Sequence, residues 1–199
     1  MGPKDFQYAY DFDENGVLFY LGSAGKTRVW QNPHVLGQVQ AFCSSIGSGS
    51  VEQFVGRSVA NCRTIDEPGS FFGVDLGLDR KLLPTHYTLR NRGSSTHVLL
   101  SWQFEGSNDK DRWTALDCRN YQSGNAVENE RLLKEHEAFR QRGGAMTFLI
   151  NLDQYKQDIG YGGYRYFRVV QTSRNSGNSN QLCLSGFELY GRVQSGRWA

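Results

Sequence analysis

The stretch from Val98 to Leu116, VLLSWQFEGSNDKDRWTAL, limits the possible folds of this chain more than any other. Val98, Leu100, Trp102 and Phe104 fall on one side of a period-two pattern, with Leu99, Ser101, Gln103 and Glu105 on the other. Such alternation describes a strand with one buried face. Gly106-Ser107-Asn108-Asp109 follows as turn chemistry, because glycine tolerates positive φ and Asn and Asp bond their own backbone. Trp113, Ala115 and Cys118 then open a second apolar run. The expectation is a core hairpin, with Val98, Leu100, Trp102, Phe104 and Trp113 buried. Nothing in it is chemically reactive.

Other segments repeat this grammar. Phe6, Tyr8, Tyr10 and Phe12 alternate, Asn15-Gly16 is a strong hairpin signal, and Val17 to Leu21 reads as the returning strand. A short strand at Thr27–Trp30 and a first core strand at Gln38–Cys43 follow. Phe72, Val74 and Leu76 point into a core, as do Tyr87 and Leu89, leaving His86, Thr88 and Arg90 outward. Ala126 to Arg142 is the one helical stretch, with Leu132, Leu133, His136 and Phe139 at helical spacing before Gly143-Gly144. Phe148, Ile150 and Leu152 return to period two, Tyr155–Tyr164 is a Gly/Tyr-rich loop, and Tyr164–Val169 is a strand. In LCLSGFELYG the apolar phase slips at Gly186, which predicts a β-bulge. Gly191 to Ala199 reads as the start of a linker.

Composition rules out several classes. Lys+Arg 22 against Asp+Glu 20 gives net charge +2, so no bulk field argues for nucleic acid. No apolar run reaches membrane-spanning length, and no secretory leader opens the sequence. The four cysteines (Cys43, Cys62, Cys118 and Cys183) form no C-x-x-C pair, which argues against a zinc site. The scattered histidines His34, His86, His97 and His136 share no ligand spacing, and no nucleophile elbow is present. Asp109 and Asp111 fit turn chemistry better than cation binding. Neither a cofactor nor a metal is expected.

The pattern W-x-x-E-G-S-N-D-x-x-x-W-x-x-L, the Val74-Asp75-Leu76-Gly77 strand, the YRYFRV strand and the ELYG ending resemble discoidin, or coagulation-factor C-type, domains of the galactose-binding-like superfamily. VDLG…PTHYTLRNR and LCLSGFELYG look most like the DOC-like versions found in ubiquitin ligases and BTB-type adaptors. The resemblance covers roughly Gln38 to Val193. It implies an all-β, galactose-binding-like jelly-roll β-sandwich, here with an N-terminal β-hairpin extension (1–37), the sandwich (38–193), one short helix and a linker start (194–199). Secreted members join a cysteine near the start to one near the end, a pairing that Cys43 and Cys183 could mimic. Cys183 lies too early for that, so four thiols in a reducing compartment are expected.

The resemblance also implies that ligand binds at the loops gathered at one end of the sandwich. The residues there are Arg63, Thr64, Arg90, Arg92, Arg174, Asn175, Asn178, Asn180 and Gln181, with Arg90 and Arg92 the weaker candidates. Arg offers forked donors for carboxylates, while Asn and Gln suit peptide or sugar groups. The expected function is a non-catalytic, monomeric recognition domain in the cytoplasm, with the nucleus as a second compartment. Its ligand would be a protein or peptide segment, acidic in the sharper form of the expectation, with the domain serving as the substrate- or partner-binding part of an E3 ubiquitin ligase. The alternative is a carbohydrate-binding, lectin-like module. A membrane-binding C-type domain ranks last, since the loops carry only Ile46 as an apolar tip, and nucleic acid is not expected.

Overall fold

Nine antiparallel strands form two sheets in the computed structural model, which describes residues 3–122, 126–151, 153 and 162–195. The strands are β1 (Lys4–Phe6), β2 (Gln40–Cys43), β3 (Phe71–Asp75), β4 (Lys81–Asn91), β5 (Ser101–Ser107), β6 (Thr114–Asn120), β7 (Ala145–Leu149), β8 (Tyr166–Gln171) and β9 (Leu184–Ser195). One sheet runs β1-β9-β4-β7 and the other β2-β3-β8-β5-β6. Helices are few: α1 (Val17–Gly22), α2 (Ala126–Glu135), α3 (Glu137–Arg140) and a 3₁₀ turn at Val51–Val55.

The core between the sheets is aromatic. Tyr87 on β4 stacks on Phe104 of β5 at 4.2 Å between centroids, and Phe104 stacks on Phe167 of β8 at 5.7 Å. Trp102 meets Phe148 edge-on at 5.1 Å. Phe54 of the 3₁₀ turn lies between Phe72 and Phe187 at 5.2 and 4.8 Å, closing a gap between sheets. Burial of an indole requires a partner for its N–H. Trp102 Nε1 donates to Tyr87 Oη at 2.9 Å, and Tyr87 Oη donates to Asp117 Oδ2 at 2.7 Å. Arg119 Nε donates to the same carboxylate oxygen at 2.7 Å. The polar requirement of the innermost ring is thereby passed out to an ion pair at the edge of the sheet.

The hairpin β5–β6 forms as expected, with Val98, Trp102 and Phe104 buried, but two of its residues differ. Leu100 is half-buried, because the strand begins at Ser101 and the preceding residues bury both Val98 and Leu99. Trp113 is half-buried on the outer face of its sheet, under the Arg168 guanidinium at 4.0 Å. The pairing jumps from Phe104↔Asp117 to Glu105↔Ala115, so Leu116 is the extra residue and turns into the core in place of Trp113.

The larger correction concerns the first forty residues. Val17–Gly22 is helical rather than a returning strand, and 27–30 is not a strand. The segment does not fold on itself as a hairpin. β1 pairs with β9 instead, and the chain then crosses the outer face of the four-stranded sheet. Tyr8 packs on Tyr190 and His86, Asp11 accepts the Thr147 amide, and the Phe12 ring lies 4.4 Å from the Arg90 guanidinium. Glu188 of β9 then accepts the amides of Leu18 and Phe19 at 2.7 and 2.9 Å, meeting the unpaired donors of the first turn of α1. Gly16 is required at this approach, since a Cβ there would stand 2.2 Å from the Glu188 side chain. This third layer explains why Thr88 and Arg90, expected outward, are buried.

Remaining sequence expectations divide. The bulge near Gly186 is present as a register shift that leaves Ser185 unpaired between Leu184 and Gly186. The helical stretch is two pieces, interrupted at His136, with His136 and Phe139 buried; the side chains of Leu132 and Leu133 lie outside the described residues. So do Leu152 and most of the Tyr155–Tyr164 loop. Gly191 to Ser195 continues β9 rather than beginning a linker, while 196–199 lie outside the described residues.

Two outcomes follow for stability. Trp102→Ala opens a large cavity and leaves Tyr87 Oη without its indole donor, so chemical denaturation should show a loss of about 3–5 kcal/mol; a loss below ~1 kcal/mol would contradict this core. Burial raises the Glu188 carboxyl to about 7, against the lowering pull of the Leu189, Leu18 and Phe19 amides and Arg57, from an ordinary 4.5. The folded chain therefore holds this proton where the unfolded chain has released it. Stability should fall as pH rises from about 4.5 through 7, by on the order of 3 kcal/mol from this group at ~1.4 kcal/mol per pKa unit. Glu188→Gln should flatten that part of the melting-temperature profile, and an unchanged profile would exclude Glu188 as its source.

Candidate functional site

Three loops meet at one end of the sandwich: residues 61–66 before β3, 92–100 between β4 and β5, and 172–183 between β8 and β9. Backbone bonds join them. Thr64 N donates to Leu182 O at 3.1 Å and Ser176 N to Val98 O at 3.0 Å, while Arg63 N donates to Ser48 O at 3.0 Å in the loop that follows β2. The tip of the β5–β6 hairpin lies at the opposite end, where Asn108 Nδ2 donates to Gly163 O. There Asp109 accepts the amides of Asp111 and Arg112, which is turn chemistry.

The nine residues singled out from the sequence separate into two groups. Four build the loops. Thr64 is fully buried, and its Oγ1 accepts the Leu182 amide. Asn175 is buried, donating to Gln181 O while accepting the amides of Gly177 and Ser179. Arg90 lies under the N-terminal layer and donates to the carbonyls of Gly56, Arg57, Ser58 and Ser185. Burial, with Arg57 nearby, lowers its pKa to about 10. Asn180 gives its N–H and Nδ2 to Asp66 Oδ1 at 2.7 and 3.1 Å. These contacts consume the groups that a ligand would need.

Arg63, Arg92, Arg174, Asn178 and Gln181 remain at the surface of this end. Arg92 is half-buried and braced: Nη2 donates to Thr96 Oγ1 at 2.8 Å and to His97 Nδ1 at 3.0 Å. Arg174 is exposed, with Nη1 donating to Asn178 Oδ1 at 3.1 Å. Arg63 is half-buried, and among the described residues its guanidinium has neither a hydrogen bond nor an ion pair.

His97 and Asp66 belong to the same cluster, although nothing in the sequence pointed to them. His97 has φ 61, a left-handed conformation uncommon for a residue with a side chain. Its ring lies against Gly177, where a Cβ would stand 2.7 Å from His97 Cδ2. Burial, then the charges of Arg92 and Arg63, hold the His97 pKa below its ordinary value, and Asp66 opposes this. Hydrogen bonds from Asn180 lower Asp66, with a smaller contribution from Arg174. The end is thus basic, with one carboxylate already occupied. Among the described residues, no three His, Cys, Asp or Glu side chains gather in a way that could hold a metal.

Cys62 and Cys183 are buried beneath this end, and all four cysteines are free thiols. The Cys43–Cys183 pairing implied by secreted members is not formed. Burial pushes Cys62 up to about 12 and raises Cys183 as well, which suppresses thiolate formation. Alkylation of the denatured, unreduced protein should add four groups by intact mass; two would reveal a disulfide.

With this architecture the chain has the discoidin, galactose-binding-like fold. CpGH89CBM32-5 from Clostridium perfringens, in complex with GalNAc-β-1,3-galactose, superposes with TM-score 0.53 at 12% identity over 78% of this chain and 96% of that one. The lectin domain of lectinolysin, complexed with Lewis B antigen, gives 0.50 at 17% identity over 76% and 92%. Sequence relatives are of another kind. The chain is 37% identical over 195 residues to the E3 ubiquitin-protein ligase Ufd4 of Drosophila melanogaster and 31% over 196 residues to the E3 ubiquitin-protein ligase hecd-1 of Caenorhabditis elegans. These matches take in 94% and 95% of this chain but only 6% and 7% of the two ligases. A BTB/POZ domain-containing protein of Arabidopsis thaliana is 27% identical over 94% of this chain and 22% of that protein. No family model matches.

Proposed function

We propose that this chain is a non-catalytic recognition domain that binds an acidic protein segment at its basic loop end, serving as the substrate- or partner-reading part of a ubiquitin ligase. The observation that carries the reading is the Arg63 guanidinium, half-buried and uncommitted among the described residues, which acts on His97 together with the braced Arg92. A guanidinium with free donors in a partly dry site favours a carboxylate over water, because its fork matches the two oxygens. The two ligases among the relatives support the setting. Arg174, Asn178 and Gln181 complete the binding rim, while Thr64, Asn175 and Asn180 hold its shape. The domain acts as a monomer in a reducing compartment, cytoplasm or nucleus, and needs neither cofactor nor metal. Neither nucleic acid nor membrane is its ligand.

Sugar binding is the second reading, favoured by the ligands of the two solved structures quoted above. A glycan array set against affinity capture from cell lysate separates the two. Arg63→Ala or Arg174→Ala should weaken a captured partner at least about tenfold, or ~1.4 kcal/mol, with the melting temperature unchanged. Wild-type affinity in both variants would remove the site; binding of glycans and of no protein would select the lectin reading.

A further inference from the structure

The charges at the loop end do not balance. Asp66 lies within electrostatic reach of both His97 and Arg174, while Arg63 and Arg92 are the guanidinium groups that act on His97. Asp66 Oδ1 is taken by Asn180. The Arg92 contact at His97 Nδ1, together with burial and the Arg92 and Arg63 charges that lower its pKa, disfavours a positive charge on the ring. Arg63, Arg92 and Arg174 thus give this cluster a positive excess over Asp66.

The donors are in excess too. Arg63 uses none of its N–H groups among the described residues, and Arg174 directs one Nη to Asn178. Arg92 is fixed through Nε and Nη2 to Thr96 and His97. A carboxylate carries one negative charge and two oxygens, enough to satisfy one fork. A phosphate monoester carries nearly two charges and three acceptor oxygens. It can engage more than one separate guanidinium group at once, which a single carboxylate does less well. Fixed Arg side chains also lose less side-chain entropy on binding.

Apolar residues flank this basic spot. Val59, Ile65 and Ile46 are 49%, 38% and 40% exposed. Such a rim suits the side chains on either side of a modified residue in an extended polypeptide better than a bare ion does.

We propose that the loop end is a reader of a phosphorylated serine or threonine in a protein segment, with Arg63 and Arg174 contacting the phosphate and Arg92 held in place for it by Thr96 and His97. This rests on the recognition reading above and sharpens it, since the acidity of the ligand would come from the modification.

The test is calorimetric titration of the whole chain with a Val-Ala-phosphoserine-Val-Ala peptide. The Ser and Glu counterparts, inositol 1,4,5-trisphosphate and inorganic phosphate serve as parallel probes. The phosphopeptide should bind at least about tenfold more tightly than the Glu peptide and more tightly than either phosphate probe. Amide shifts should centre on His97 and Gly177. Arg63→Gln should reduce the affinity about tenfold or more, and Arg112→Gln at the far end should leave it unchanged. Equal binding of the Glu peptide and the phosphopeptide overturns phosphate recognition while leaving the acidic-segment reading intact. Tighter binding of inositol trisphosphate transfers the site to a lipid headgroup and overturns the protein source. Absence of binding by both acidic peptides, with wild-type folding, overturns both readings.

Discussion

A carboxylate that no water reaches governs how the sandwich is finished. Glu188 stands on the outer face of the four-stranded sheet, a side that an antiparallel sheet often leaves to solvent. The amides of Leu18, Phe19 and Leu189 and the Arg57 guanidinium at 3.7 Å surround it and reduce, without cancelling, the cost of burying its charge. Arg90 is placed in the same way, with its charge spread over four carbonyls and a phenylalanine ring. Remove the N-terminal layer, and Glu188 loses the Leu18 and Phe19 amides while Arg90 loses the Phe12 ring. The strap and the sheet therefore specify one another.

That mutual dependence also explains where the sequence misleads. Asn15-Gly16 between alternating apolar runs has the local form of a hairpin, and local preference alone would make one. The glycine instead permits close approach to Glu188, a residue far along the chain, and the amides following it are captured by that side chain. Tertiary contact overrides turn propensity, and no short-range pattern reveals it. The strands of the sandwich were legible because burial imposes period two on Phe72, Val74, Tyr87, Leu89, Trp102 and Phe104. Where the period breaks, at Leu116 and Ser185, a bulge re-aims the side chains. Only the second carried a visible signal, in Gly186.

The binding end was legible at the level of loops and not of atoms. Asn175 and Asn178 look alike in the sequence, yet one is a buried scaffold and the other an exposed acceptor for Arg174. Arg90 and Arg92 stand two apart on the same run, but Arg90 faces the N-terminal layer and Arg92 the loops. Asp66 and His97 join the site through the pairing of distant loops, which composition does not encode. What distinguishes ligand groups from scaffold is whether their hydrogen bonds are already spent, a property of the folded chain.

The pairing of β1 with β9 has an architectural consequence. Lys4 lies opposite Val193, so the first and last strands, β1 and β9, are immediate neighbours. Lys81, which pairs with Ser195, belongs to the turn side of the sandwich, away from Asn91 and the basic loops. The start of β1 and the end of β9 therefore lie side by side, like the two wires of a lamp flex, at the end of the sandwich away from the basic loops. Both ends of the described chain thus leave the basic loops uncovered.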